Sequence, residues 1–227
     1  MSRFTFEQRC RPQGIVRVTE AVGFLKAMQN GLGFTELRDE GGNIAELTES
    51  HLNALIASKL VGQQFPTIGG EVHLWGERGG LSARLEFRTG VGQGEKFPEY
   101  FVASLDSGME LPSVQFLEES IKNVKPYEAF VSEAENEDFW NSYDREFSVA
   151  GKFEKPALIR WFHYFDEKVV KALGGFDHCL QAPVWDARRF NQGVILQLTE
   201  RPTEMTKATG REIQRRVMDF FSLENLP

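Results

Sequence analysis

The residues Ala157 to Phe165 (ALIRWFHYF) are apolar on both alternating faces. Ala157, Ile159, Trp161 and Phe165 point one way in an extended chain; Leu158, Phe162 and Tyr164 point the other. Successive side chains of a strand face opposite sides. A run that is apolar on both sides is therefore covered on both, and belongs in the middle of a sheet. Gly193 to Thr199 (GVILQLT) repeats the pattern. The rest of the chain has to supply the neighbours and the cover.

Helical spacing supplies the cover. Thr19 is placed to cap a first helix whose face is Ala21, Phe24, Leu25 and Met28, ending at Asn30-Gly31. After a polar loop from Gly33 to Asn43, Thr48 caps a second helix with Leu52, Leu55, Ile56 and Leu60 on one face. Pro112 opens a third, carrying Leu117, Ile121 and Val124. In the second half, Glu133 to Tyr143 reads as an acidic helix and Asp166 to Leu173 as a short one closed by Gly174-Gly175. A long C-terminal helix carries Ile213, Val217, Phe220 and Phe221, with Thr209 and Glu212 at capping-box spacing.

Strand spacing supplies the neighbours. Glu71 to Gly76 and Leu81 to Thr89 form a hairpin around Glu77-Arg78-Gly79-Gly80. Leu81, Ala83, Leu85 and Phe87 face in; Ser82, Arg84, Glu86 and Arg88 face out. Arg3 to Cys10 reads as an edge strand ended by the turn Arg11-Pro12-Gln13-Gly14. Tyr100 to Leu105, Tyr127 to Val131 and Phe176 to Gln181 read as further strands. Hairpins flanked by helices define an α+β fold, with mixed or antiparallel sheets, rather than a regular βαβ array. Two closely packed α/β lobes are expected, residues 1–124 and 125–227, joined at Lys125-Pro126.

The chain has 227 residues and a net charge of -7, and 41% of it is hydrophobic. Such a balance excludes a disordered chain and argues against nucleic-acid backbones or anionic lipid as partners. It is compatible with a basic protein partner. Two distant cysteines, Cys10 and Cys179, predict free thiols in a reducing compartment. No apolar run reaches the roughly 20 residues of a membrane span. The first residues, MSRFTFEQRCRPQG, show no secretory h-region, which leads to a cytoplasmic expectation.

Catalytic patterns are sparse. Gly90-Val91-Gly92-Gln93-Gly94 resembles a phosphate loop only superficially, because a strand rather than a helix follows it. The four histidines, His51, His73, His163 and His178, give no helical metal pair. His178 and Cys179, adjacent in an expected strand, point to opposite faces. His163 with Asp166 could act as a base and its orienter in a small hydrolase or transferase, but no serine elbow or activated cysteine accompanies them. The reading is of no catalytic residues, no metal and no cofactor. The charge clusters say more. Glu133, Glu135, Glu137, Asp138, Asp144 and Glu146 are opposed only by Arg145 and interleaved with Phe139, Trp140 and Tyr143. Glu36, Asp39, Glu40, Glu46 and Glu49 form a second cluster. Each is either a solvated face or the rim of a protein interface anchored by aromatics.

The second half also resembles the immunity protein 52 family of bacterial toxin–immunity systems. The resemblance covers about 100 residues of the 227. It is carried by Pro126, Ala129 and Val131-Ser132, by Trp161 and Tyr164, by Pro183-Val184, by Gly193-Val194-Ile195 with Thr199, and by the ending Leu226-Pro227. Val194 stands where the family often has Thr. The resemblance implies a non-catalytic cytoplasmic protein that binds and neutralises one toxin, including nuclease-type effectors of a type VI secretion system. A nuclease carries basic residues for phosphate contacts, so an acidic inhibitor suits it. The toxin-binding residues expected on this reading are Glu133, Glu135, Glu137, Asp138 and Trp140, with Asp39 and Glu40. A housekeeping adaptor with an unrelated partner is the third class.

Overall fold

The computed structural model describes residues 3–61, 63–65, 67–95, 97–141, 156 and 158–223, and not the side chains of residues 137 and 139–141. The described chain is α+β, with helices flanking antiparallel strands. It divides into two compact units, Glu7–Pro126 and Ser2–Phe6 with Tyr127–Pro227.

In the first unit the strand order is β2-β3-β4-β5-β1. These are β1 (Phe4–Cys10), β2 (Leu37–Arg38), β3 (Ile68–Arg78), β4 (Leu81–Val91) and β5 (Glu99–Leu105). The hairpin expected from alternation is longer than the spacing showed, running from Ile68↔Val91 to Arg78↔Leu81 around Gly79-Gly80. Val72, Leu74, Ala83, Leu85, Phe87, Phe101 and Ala103 are buried. The helices α1 (Val18–Leu32), α2 (Glu49–Leu60) and α3 (Val114–Val124) complete the unit. The Phe24 ring of α1 meets Phe101 at 5.6 Å, and Phe101 stacks on Phe87 at 6.1 Å. The expected α1 face, Ala21, Phe24, Leu25 and Met28, is buried. Its N-cap is Arg17 rather than Thr19, and it runs through Gly31 to the left-handed Gly33 (φ 71). Gly31 continues the helix because a Cβ there would sit 2.1 Å from the Phe116 ring of α3, so glycine permits the close crossing. Thr48 caps α2 as expected, accepting the His51 N–H. Leu37–Arg38 in the expected polar loop pairs with β3.

In the second unit the order is β1-β6-β7-β9-β8, with β6 (Glu128–Glu133), β7 (Phe162–Asp166), β8 (Asp186–Phe190) and β9 (Gly193–Gln197). Thus β1 is not the expected edge strand. Burial of Phe4, Phe6, Gln8 and Cys10 fits a covered strand. The two-faced stretch does lie between neighbours: β7 pairs with β6 and β9, and Trp161 and Phe162 are 5% and 0% exposed. The strand begins only at Phe162, however. Leu158, Ile159 and Trp161 are buried and Arg160 is half-buried, none of them in a strand, and Ala157 lies outside the described residues.

Two elements differ from expectation. Phe176–Cys179 is a short helix, α6, not a strand. Gly174 and Gly175 take positive φ (106 and 93) and turn the chain into it. Cys179 is buried, while His178 stacks on Phe220 at 4.2 Å. The seven residues between Gly175 and Pro183 are too few to separate a period of 2 from one of 3.6. Conversely, Asp186–Phe190 (DARRF) is a strand whose charge hid it; it pairs with β9 across a turn at Asn191, which has φ 52. The remaining helices are α4 (Ala134–Asn141), α5 (Glu167–Ala172) and α7 (Ala208–Phe220). α7 starts after a 3-10 turn at Pro202–Glu204, so Thr209 and Glu212 are both inside it and form no capping box.

Candidate protein-binding surface

The acidic stretch divides at the start of α4. Glu133, the last residue of β6, is 2% exposed, and its Oε2 accepts the Asn136 N–H at 2.9 Å. It satisfies an open N–H of the first helical turn and meets the positive end of the helix dipole. Asn136 then donates from Nδ2 to Gln214 Oε1 at 3.0 Å, and Gln214 Nε2 donates to the Ile159 carbonyl at 2.5 Å. Glu133 is therefore a buried cap and part of a polar seam, not a member of a charged rim. Counting acids could not show this, because the acid just before a helix is the one the helix draws inward.

Glu135 and Asp138 stay in water. Both are exposed and lie three apart on α4, hence on one helical face. Among the described residues neither has a charged or hydrogen-bonded partner. The side chains of Glu137 and Trp140, and residues 144 and 146, lie outside the described part.

Asp39 and Glu40 have a different setting, in the first unit. Asp39 Oδ1 accepts the N–H groups of Gly41 and Asn43, both at 2.9 Å. Hydrogen bonds from Asn43, through backbone and side chain, hold its carboxyl below the usual range. It builds the turn. Glu40 sits beside a concavity of about 210 Å³ lined also by Ser58, Lys59 and His73. Its Oε2 accepts from Lys59 Nζ at 2.7 Å, and its Oε1 lies 2.9 Å from His73 Nδ1. His73 Nε2 is 2.7 Å from Glu71 Oε1, and Glu71 also pairs with Arg88. Burial alone would raise the Glu71 carboxyl, but hydrogen bonds from Tyr100, His73 and Arg88 outweigh it and hold it down at about 2. Sequence reading passed over this network. Its signal was the hairpin register, which sets Glu71 opposite Arg88 and His73 opposite Glu86. The charge of Glu40 is thus already shared between two partners.

His163 is 0% exposed. Its Nδ1 accepts the Arg160 N–H at 3.1 Å, which leaves the proton on Nε2 to donate to Glu128 at 2.9 Å. Asp166 is not its orienter; it caps α5, accepting the Val169 N–H at 3.0 Å. The Phe165 ring lies 4.3 Å from the imidazole and the Arg160 guanidinium 3.8 Å over Phe130. Both ring nitrogens of His163 are thus engaged inside the fold, with Glu128 in the place expected for Asp166. Cys10 and Cys179 are buried free thiols, and burial pushes them up to about 12 and about 11, far from a nucleophile's range.

Trp161 and Thr199, two residues of the family resemblance, meet directly: the indole Nε1 donates to the Thr199 carbonyl at 2.9 Å. Neither the protein-family models nor the curated proteins give a match to the chain. No helix among the described residues is long and apolar enough to cross a membrane.

Proposed function

We propose that the chain is an immunity-type protein of the cytoplasm that binds and neutralises a cognate antibacterial toxin, a basic nuclease-type effector of a type VI secretion system. The observation that carries the reading is the pair Glu135 and Asp138. Two carboxylates on one exposed helical face, unpaired among the described residues and next to the Glu133 cap, are charges available to a partner. Asp39 and Glu40 serve their own turn and ion network first, and take a secondary part. The acidic balance of the chain and the residue pattern of its second half support the same reading. Rim carboxylates of this kind speed encounter with a basic protein.

The test is co-expression with the product of the adjacent gene, copurification, and assay of toxin activity with and without the chain. Stoichiometric binding that abolishes the toxin's activity is expected. Protection of cells without any physical complex would overturn the proposal.

A further inference from the structure

Among the described residues, six of the eight large hydrophobic side chains that stand exposed belong to three loops of the first unit and the residues beside them. They are Ile15, Val16, Val61, Phe65, Ile68 and Phe97. Backbone contacts hold these loops together at the end of the β3–β4 hairpin opposite its turn. Gly14 N–H donates to the Val91 carbonyl at 2.9 Å, Gly92 N–H to Thr67 at 2.6 Å, and Ile68 N–H to Phe65 at 3.3 Å. A Cβ on Gly90 would lie 3.3 Å from the Val16 side chain. The glycine run Gly90 to Gly94 thus carries one edge of an apolar end. Phe65 and Phe97 are 61% and 51% exposed, and scattered single residues do not account for such a concentration.

The polar residues around this end select its occupant. Gln13, Gln64 and Gln93 are exposed and Gln63 half-buried beside the apolar side chains. In sequence the charges of these loops are Arg11, Glu95 and Lys96, of both signs, apart from Arg17, which is buried. A basic partner finds no acidic rim here, and an anionic membrane finds no basic cluster. A primary amide both donates and accepts, so a face of apolar groups and glutamines complements a copy of itself. A two-fold interface brings the same patch of each copy together and needs this self-complementarity. In a chain carrying -7, a nearly neutral face is also where two copies approach with least repulsion. We propose that the apolar end carrying Ile15, Val16, Val61, Phe65, Ile68 and Phe97 is a homodimer interface, anchored by Phe65 and Phe97.

The experiment is sedimentation of the full chain from about 1 to about 100 µM, with Phe65→Glu and Phe97→Glu as separate variants and Gln93→Ala as a milder third. Both phenylalanines are exposed, so the variants keep the wild-type circular dichroism. A concentration-dependent dimer is expected, with dissociation constants raised about tenfold or more by either Glu variant. A chain monomeric throughout the range would overturn the proposal, as would a dimer untouched by both Glu variants. Monomers that float with zwitterionic vesicles would assign the end to a lipid surface instead. Amide protection of these loops by the toxin in a one-to-one complex would assign it to that partner.

Discussion

Two carboxylates of the first unit are moved in opposite directions by the same fold. Glu71 is held down at about 2, from an ordinary 4.5, because Tyr100, His73 and Arg88 outweigh its burial. Its contribution to stability is present above about 4.5 and lost as pH falls through about 2. Glu71→Gln should flatten the loss of thermal stability over that acid range; an unchanged acid profile would contradict the network. Glu99 is 0% exposed and pushed up to about 7, first by burial, against the pull of the Val91 N–H, Arg17 and the Gly90 N–H. Its Oε1 accepts the Gly90 and Val91 N–H groups at 2.8 and 3.1 Å. With a raised value, its stabilising effect is complete below about 4.5 and lost as pH rises through about 7. Glu99→Gln keeps an acceptor for both N–H groups and removes the buried charge. It should stabilise the chain by about 2 kcal/mol near pH 8 and leave it little changed near pH 5, as read by denaturant titration at the two pH values. At the same scale, Glu133→Ala removes the α4 cap and should cost about 1 kcal/mol without altering the toxin on-rate. Glu135→Ala should do the reverse.

At the scale of elements, α1 and α3 approach as closely as they do because Gly31 lacks a Cβ. Alanine is favoured over glycine in a helix by about 1 kcal/mol, so a free helix would gain from Gly31→Ala. Here the new methyl meets the Phe116 ring, and overpacking of this kind costs about 1–3 kcal/mol. A net loss is expected in chemical denaturation, rescued by adding Phe116→Leu; a net gain would show that the crossing is loose. Long periodic elements were legible in the sequence. The α1 and α3 faces and the alternation of β4 were readable because each repeats over two turns or more. Short elements were not. The strand expected at Phe176 to Gln181 is a helix started by a glycine pair, and the charged Asp186–Phe190 is a strand held by its hairpin with β9. Both were decided by turn geometry rather than period. The acidic cluster was legible in kind but not residue by residue. Composition treats Glu133, Glu135 and Asp138 alike, whereas the start of α4 turns the first inward and leaves the other two in water.

For the whole molecule, groups that hold the fold are distinct from groups left over for a partner. His163, Glu128, Glu133, Asn136 and Gln214 are buried polar residues hydrogen-bonded inside the second unit. Such groups make the core specific and are costly to leave unpaired. Gln214→Leu should leave Asn136 Nδ2 without its acceptor and cost about 1–3 kcal/mol, measurable by urea denaturation. Among the described residues Glu135 and Asp138 carry no such duty, and the proposed toxin contact rests on them. The most direct measurement is therefore the binding kinetics of the double variant Glu135→Lys, Asp138→Lys against the cognate toxin at several salt concentrations. An unchanged melting temperature, an on-rate lowered about tenfold or more and a shallower salt dependence are predicted. A folded double variant with the wild-type on-rate and salt dependence would contradict the account.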